Sequence, residues 1–253
     1  MLTEILPIIG AFILSMTCGA FFIPSVLKIC KKKKLYDIPT LRKVHSAPIP
    51  RLGGIAFIPS MMISAVAVLL IIATNNIQDK ISLSMWSVGF ILSLSIIYSV
   101  GIIDDLIGLN AKVKFVAQIL AASIMPICGL QINDLYGLFG IYEIPSVVGI
   151  PLTILVFVFI DNALNLIDGI DGLATSLSII ALLGFFYCFI PYNLIAYEVM
   201  IAGLVGVLTV YLYYNMWGKV EKGTKIFMGD SGSLTLGFFL AFPLNLKSAL
   251  ERM

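Results

Sequence analysis

The sequence predicts an all-α fold: a polytopic bundle of transmembrane helices, formed as one integral membrane domain over residues 1–253. The first observation is composition. Of the residues, 60% are hydrophobic and 12% charged, whereas a soluble domain has about 45–50% apolar and about 25% charged residues. The second is that apolar runs recur along the chain without the alternation of a membrane β-barrel, and isolated backbone in lipid can satisfy its hydrogen bonds only as helix.

Apolar runs of membrane-spanning length define the predicted helices. A helix needs about 20 mostly apolar residues to cross the hydrocarbon core of a bilayer. Eight runs bounded by charges or turn formers meet this description, and the fifth is the shortest. They cover approximately residues 5–27, 53–73, 85–103, 113–130, 145–161, 172–190, 194–214 and 232–246.

Basic residues set the expected orientation of these spans. Glu4 precedes the first run and the first lysine, Lys28, follows it, which predicts an N-terminus outside the cytoplasm and no cleaved signal peptide. Four connecting segments then lie on the cytoplasmic face, and with Lys114 they hold 13 of the 16 Lys and Arg residues. These segments are residues 28–52, 104–112, 162–171 and 215–231.

Acidic residues are expected to gather on the same face. Six aspartates, far apart in sequence, lie in three loops or helix ends that this topology brings together: Asp104, Asp105, Asp161, Asp168, Asp171 and Asp230. A lone carboxylate near the centre of a membrane helix costs about 2.5–3.5 kcal/mol on insertion scales, so we expect these side chains to face a polar cleft, water or a cation. The simpler alternative is that each one caps a helix, with Asp168 to Asp171 capping the sixth span.

A divalent cation bound to phosphates is the best chemical match for such a set. Magnesium takes oxygen ligands, usually one or two carboxylates completed by substrate phosphate oxygens. We therefore expect Mg²⁺ as cofactor, or Mn²⁺ in its place, and no nucleic-acid partner.

Four ordered sequence blocks carry a family resemblance. They are "VHSAPIPRLGGIAF" (44–57), "GIIDDLIGLNAKVKFVAQ" (101–118), "DNALNLIDGIDGLATSLS" (161–178) and "KIFMGDSGSLTLGFFLA" (225–241). Together they closely resemble the polyprenyl-phosphate N-acetylhexosamine-1-phosphate transferase family. The resemblance implies that a membrane lipid phosphate, undecaprenyl phosphate, attacks the β-phosphate of a UDP-N-acetylhexosamine, most simply UDP-GlcNAc. The products are a polyprenyl diphosphate sugar and UMP, as the first step of cell-envelope polysaccharide synthesis at the bacterial cytoplasmic (inner) membrane.

The resemblance also implies roles for individual residues. Asp230 matches the metal-binding aspartate of the family, and Asn165 matches an asparagine that joins it on magnesium in part of the family. Asp104 and Asp105 match the aspartate pair of the catalytic centre, with a role either as base or in positioning. The remaining matches are substrate-binding residues: Asp168, Asp171, Phe227, Arg51, His45 and Asn162.

One feature of the resembled family has no counterpart in this sequence. The family continues into a histidine-rich loop and reaches ten or eleven spans in total, against about eight here. A truncated reading frame, a degenerate paralogue and activity restored by a separate chain are the open explanations. The alternatives to an enzyme are therefore an inactive or partner-dependent protein that binds lipid or a partner, and a secondary transporter. A homodimer is open as well.

Overall fold

Eight α-helices account for most of the part of the chain that the structure describes. The computed structural model describes residues 2–37, 48–74, 84–192 and 194–250. Its helices are α1 (Leu2–Lys33), α2 (Phe57–Thr74), α3 (Met85–Ile107), α4 (Ala111–Ile127), α5 (Ser146–Ile167), α6 (Leu173–Phe189), α7 (Ile195–Met216) and α8 (Asp230–Leu250). The predicted all-α membrane bundle is confirmed, and each predicted span corresponds to one helix.

Length and composition suit most of these helices to a bilayer. Six of the helical segments among the described residues are long and apolar enough to cross a membrane: Ile5–Lys33, Gly53–Thr74, Met85–Ile107, Ser146–Ile167, Leu173–Tyr192 and Ile195–Met216. The other two helices are not among these six: α4 has 17 residues, and α8 lies at the centre of the bundle.

The central helix α8 is packed on all sides. Residues 231–243 are buried without a break, and α3 and α5 flank the helix most extensively. Phe238 lies in the middle of α8, with its ring centroid 4.7 Å from that of Phe157 on α5 and 6.3 Å from that of Phe90 on α3. Because side chains on every face of this stretch of α8 are buried, the surrounding helices pack around it.

The second buried helix, α7, packs against α1, α2 and α6. The chain ends of these two central helices are joined by residues 217–229, so the start of α8 lies next to the end of α7. This arrangement places the beginning of α8, where Asp230 lies, at one end of the bundle.

Among the described residues, two short antiparallel strand pairs lie at the ends of the bundle. The first pairs β1 (Tyr36–Asp37) with β2 (Ile49–Pro50), and the second pairs β3 (Asp134–Leu138) with β4 (Ile141–Glu143) between α4 and α5. The chain after β2 forms a 3₁₀ turn, Gly53–Ala56, before α2 begins. Since α4 begins beside Asp230 and runs away from it, the β3–β4 hairpin lies at the far end.

Several helices extend further than the apolar runs predicted, among them α1 and α8, and two of these extensions carry residues of the predicted site. The third helix continues from the predicted end near residue 103 to Ile107, and α5 continues from 161 to Ile167. Asp104 and Asp105, and Asn162 and Asn165, therefore lie on the last turns of helices, and the expected loop 162–171 is wrong in its first half. Hydropathy marks where a helix leaves the apolar environment, whereas polar side chains with partners inside the bundle let the helix continue.

Candidate active site

A lysine lies between two aspartates from different helices. The Nζ atom of Lys114, on the first turn of α4, lies 2.6 Å from Oδ2 of Asp230 on α8 and 3.2 Å from Oδ2 of Asp104 on α3. Oδ1 of Asp104 accepts a hydrogen bond from the backbone amide of Leu109 at 2.6 Å. The expected convergence of distant acidic segments at one end of the bundle is confirmed for these two aspartates.

Asn165 joins the same cluster from α5. Its Nδ2 atom donates to Oδ1 of Asp230 at 3.1 Å and to Oγ of Ser233 at 2.8 Å. Asn165 and Asp230, which the family resemblance assigns to a shared metal ion, are thus in direct contact.

The other member of the aspartate pair holds the start of α8. Oδ1 and Oδ2 of Asp105 accept hydrogen bonds from the backbone amides of Asp230 and Ser231, both at 2.9 Å. These amides belong to the first turn of α8, and the amides of a first turn have no acceptors within their own helix. Gly229 has a φ of 75°, and a Cβ there would lie 2.6 Å from Oδ2 of Asp105, so the close approach requires glycine. Asp105 is 3% exposed and works as a cap for a helix 125 residues further along the chain.

Asp168 lies just past the end of α5, in the turn to α6. Burial, followed by the negative charges of Asp230, Asp105 and Asp171, raises the pKa of Asp168 from 3.8 to about 8. This carboxyl group therefore senses the carboxylates of the cluster, and a cation bound among them would lower its pKa again. The alternative in which Asp168 to Asp171 cap α6 is wrong: the N-cap is Gly172, without a side-chain cap.

A second polar network fixes this turn. Nζ of Lys225 lies 2.6 Å from Oδ2 of Asp171 and 2.6 Å from the carbonyl oxygen of Asn215. The side chain of Asn215 accepts from the backbone amide of Gly172 at 2.6 Å and donates to the carbonyl of Ile226 at 3.0 Å. Gly172 has a φ of 73°, which favours glycine. The α5–α6 turn is thereby tied to the segment leading into α8.

A groove between α4, α5 and α8 opens beside the cluster. We call it the α4–α5–α8 groove; its volume is about 450 Å³. Asn162 lines it and donates through Nδ2 to Oε1 of Gln118 at 2.9 Å and to the carbonyl of Val158 at 2.7 Å. The lining combines polar and apolar side chains: Ala111, Lys112, Lys114, Phe115, Gln118, Asn162, Asn165, Asp230 and Leu234.

The "PIPRLGG" segment reaches the site through its backbone. The amide of Phe227 donates to the carbonyl of Pro50 at 2.7 Å, and the carbonyl of Phe227 accepts from the amide of Gly53 at 2.9 Å. The backbone of Arg51 packs against Gly229, and Phe227 itself is half-buried. These contacts place both residues beside the start of α8, while substrate contacts for them stay a prediction. His45 lies outside the described residues.

One of the six aspartates does not belong to this face. Asp161 is 1% exposed and lies inside the bundle on α5, where a Cβ on Gly237 of α8 would approach its Cα to 2.6 Å. It is wrongly predicted at the face because α5 continues for almost two turns beyond it. Oδ1 of Asp161 has no hydrogen-bond partner among the described residues.

The donor set at Asp230 fits a hard divalent cation. Asp230 and Asp104 offer carboxylate oxygens, and Asn165 would offer Oδ1 after rotation of its carboxamide, whose oxygen and nitrogen ends have nearly the same shape. Within the described residues no group of three or more His, Cys, Asp or Glu is arranged to hold a metal ion. Magnesium does not require such a group, because it is usually held by one or two carboxylates with water and substrate phosphates. The Lys114 ammonium between the carboxylates demonstrates that this position favours positive charge.

Sequence reasoning missed the basic and amide partners of the acids. The sequence gives Lys114 a place in the basic face and in a motif, and Gln118 a place in the same motif, without a partner for either, although their i, i+4 spacing places both on one face of α4. Lys225 and Asn215 carry no comparable signal, because their contacts depend on how the segment before α8 folds against the α5–α6 turn.

These features define a class of protein: a multi-pass membrane protein whose polar site is assembled at one end of a helix bundle from α3, α4, α5 and α8. The family model of glycosyl transferase family 4 matches residues 87–245. The chain belongs to this family, as the four sequence blocks predicted.

Curated bacterial relatives agree with the family assignment. A probable undecaprenyl-phosphate N-acetylglucosaminyl 1-phosphate transferase of Bacillus subtilis is 34% identical over 92% of this chain and 61% of the relative. A phospho-N-acetylmuramoyl-pentapeptide-transferase of Staphylococcus carnosus is 32% identical over 91% and 72%, respectively. A decaprenyl-phosphate N-acetylglucosaminephosphotransferase of Mycolicibacterium smegmatis is 34% identical over 80% and 50%. The chain thus spans between half and about seven-tenths of the length of these relatives.

Proposed function

We propose that this chain takes part in the transfer of a sugar 1-phosphate, GlcNAc 1-phosphate in the first instance, from a UDP-sugar to undecaprenyl phosphate. A phosphate oxygen of the lipid attacks the β-phosphorus of the UDP-sugar. The bond from that phosphorus to the oxygen bridging to the α-phosphate breaks, and UMP leaves with the bridging oxygen. The observation that carries the proposal is the Asp104–Lys114–Asp230 arrangement beside Asn165, at the mouth of a groove between membrane helices.

Charge is the main obstacle in this reaction. An anionic nucleophile meets an anionic diphosphate, so catalysis depends on neutralising charge and aligning the reacting groups in line. Lys114 and Lys112 line the groove and supply positive charge for phosphate oxygens. Magnesium, held by Asp230 with Asn165 and Asp104, would polarise the diphosphate and favour departure of UMP.

The groove suits a lipid phosphate in its chemistry. Its lysines and Asn165 lie at the end of the bundle where the site is, and Phe115 and Leu234 add apolar surface to the same lining. A polyprenyl phosphate likewise combines a charged head with an apolar chain. Neighbouring helices α4 and α5 carry outward-facing apolar side chains such as Val116, Leu120 and Leu155, which is compatible with entry of the chain from the bilayer.

The geometry favours positioning over proton transfer for Asp105. Both carboxylate oxygens already accept backbone hydrogen bonds, and a phosphate monoester with a second pKa of about 6 is mostly ionised at pH 7 without a base. Asp105 fixes the start of α8, and through it the position of Asp230. We assign Asp168, Asp171 and Phe227 to the nucleotide-sugar side of the site, and we place this face in the cytoplasm, where the donor is available.

Formation of the labelled lipid product tests the proposal. Membranes containing the chain are incubated with undecaprenyl phosphate, magnesium and one of three labelled donors: UDP-GlcNAc, UDP-GalNAc or UDP-MurNAc-pentapeptide. We expect label to enter the lipid phase from UDP-GlcNAc, with an equal amount of UMP released. No transfer from any donor, with membranes lacking the chain as background, would contradict the proposal. Transfer from a different donor alone would correct the sugar and leave the reaction class standing.

A further inference from the structure

Lys114 is the cation that the acidic cluster holds. Its ammonium group contacts Oδ2 of both Asp104 and Asp230, on two helices that begin and end at this face. The side chains are partly accessible: 26% for Lys114, 13% for Asp104 and 23% for Asp230. The ammonium is therefore held by charge in a position that solvent and solutes can reach.

The same carboxylate oxygens are the ones a divalent cation would need. A metal ion on Asp230 would share Oδ2 with the ammonium or lie within a few ångströms of it, and like charges at such a distance repel strongly where water is partly excluded. The cluster stays net negative even with Lys114 present, because two carboxylates, Asp104 and Asp230, contact one lysine, so a cation is still attracted. Lys114 lowers that attraction without abolishing it.

The ammonium group of Lys114 can also contact a phosphate in the α4–α5–α8 groove. This residue lines the groove together with Lys112, and a lysine ammonium on its flexible stem can turn towards a phosphate that enters the groove. An anion in the groove would draw the ammonium away from Asp230. The carboxylate would then be free to hold a divalent cation with less repulsion.

We propose that Lys114 is an internal counter-ion that couples metal binding to phosphate binding: it competes with the divalent cation for Asp104 and Asp230 until an anionic substrate takes up its charge. This inference rests on the proposed function. Because linkage is reciprocal, the lipid phosphate tightens metal binding by the same factor as the metal tightens phosphate binding. Lys114 is thus a positioning residue for the metal as well as a contact for the phosphate.

Binding of Mn²⁺, used as a spectroscopic probe and measured by electron paramagnetic resonance on the purified full chain, tests this inference. We expect Lys114→Met to bind Mn²⁺ at least about tenfold more tightly than wild type without phosphate ligand, since a neighbouring positive charge is removed. The matched control Lys112→Met, two residues away on the same helix, removes the same charge without the carboxylate contact and should change the affinity less than about threefold. Lys114→Gln, which keeps a hydrogen-bond donor, should behave like Lys114→Met and serves if that variant fails to fold.

Coupling is measured by repeating the titration with undecaprenyl phosphate. The factor by which this lipid tightens Mn²⁺ binding should be smaller in both Lys114 variants than in wild type. Unchanged or weaker Mn²⁺ binding in the variants would overturn the inference, and so would an unchanged coupling factor. If wild type transfers sugar phosphate and one of these two contradicting results is found, only the inference about Lys114 fails. If wild type neither transfers sugar phosphate nor binds Mn²⁺, the proposed function fails together with the inference.

Discussion

Asp105 on α3 and Asp230 on α8 are joined through the backbone: Oδ1 of Asp105 accepts a hydrogen bond from the amide of Asp230 at 2.9 Å. The neighbouring amide of Ser231 donates to the other oxygen. A carboxylate at a helix N-terminus satisfies amides that lack partners in the helix and interacts favourably with the helix dipole. Adjacent aspartates on α3 thus have different tasks, since Asp104 contacts Lys114 while Asp105 holds the helix that carries Asp230.

Replacing Asp105 by Asn should destabilise the protein. The amide nitrogen of Asn would face a backbone donor, so at least one charge-assisted hydrogen bond is lost and a buried amide is left without an acceptor. Hydrogen bonds to charged groups contribute about 1.5–3 kcal/mol, and we expect a loss of roughly 2 kcal/mol. Thermal unfolding of the detergent-solubilised protein measures this loss of stability. The affinity for Mn²⁺ should fall in parallel, because Asp230 moves when the start of α8 is no longer held.

A role of Asp105 as general base gives a different pattern. In that case Asp105→Asn would unfold at the temperature of wild type and bind Mn²⁺ equally well, and only the turnover rate would drop. Asp134→Asn, in the hairpin at the far end of the bundle, is the control for removal of one carboxylate charge.

Asp168 should make the stability of the metal-free protein depend on pH. Its folded-state pKa of about 8 lies above the value of about 3.9 for an unfolded chain. Between these values the folded state keeps a proton that the unfolded state releases, so the free energy of unfolding decreases as pH rises from about 4 to about 8. Melting temperatures in EDTA should fall over this range, and Asp168→Asn should reduce the slope.

Magnesium should weaken the same pH dependence, since a cation among the carboxylates lowers the pKa of Asp168. Asp134→Asn controls for the general effect of losing a carboxylate and should keep the slope of wild type. A slope that is identical in wild type and Asp168→Asn would contradict the burial and charge that we assign to this position.

Asn215 should be needed for nucleotide-sugar binding more than for turnover. Asn215→Leu removes hydrogen bonds to Gly172 and Ile226 and leaves two buried backbone groups without partners, at a cost of about 1–3 kcal/mol each. The α5–α6 turn with Asp168 and Asp171 then loses its anchor. We expect a lower melting temperature and a KM for the UDP-sugar that rises more than kcat falls.

Steady-state kinetics at varied donor concentration separates these effects. Ser84→Ala, which removes the N-cap of α3 at the far end of the bundle at a cost of about 1 kcal/mol, is the control for a loss of stability without damage to this turn. A KM for Asn215→Leu equal to that of the control would show that the turn does not contact the donor.

The site end and the far end of the bundle should label from opposite sides of the membrane. In a background with the four cysteines replaced, a cysteine at Lys222 should react with an impermeant maleimide only from the cytoplasmic side. A cysteine at Phe139, which is 91% exposed in the β3–β4 hairpin, should react only from outside. The reverse pattern would contradict the assigned orientation, and labelling of both positions from one side would contradict the bundle itself.

The helices and the meeting of the motifs could be predicted from sequence for a simple reason. Runs of about 20 apolar residues must be helical in lipid, and alternating spans bring every second connection to the same end. That logic placed Asp104, Asp105, Asn165 and Asp230 together. It misplaced Asp161, because the end of an apolar run is not the end of a helix.

The partners of these residues could not be predicted in the same way. The cap that Asp105 provides for α8, the position of Lys114 between two aspartates and the anchoring of Gly172 by Asn215 all join segments distant in sequence. Such contacts depend on how closely particular helices approach each other, and hydropathy and spacing carry no information on that distance. The motifs predicted which residues meet, while the packing of α8 determines what each one does.

Release of UMP by wild type and Asp230→Asn tests the central claim most directly. UDP-GlcNAc and undecaprenyl phosphate are supplied with magnesium, and Glu221→Gln, an exposed position in the segment before α8, is the matched control. We expect release by wild type and the control that requires both the lipid phosphate and magnesium, and a rate on the order of 100-fold lower for Asp230→Asn, the scale for loss of one group that stabilises transition-state charge. Release by Asp230→Asn at the wild-type rate would contradict the account.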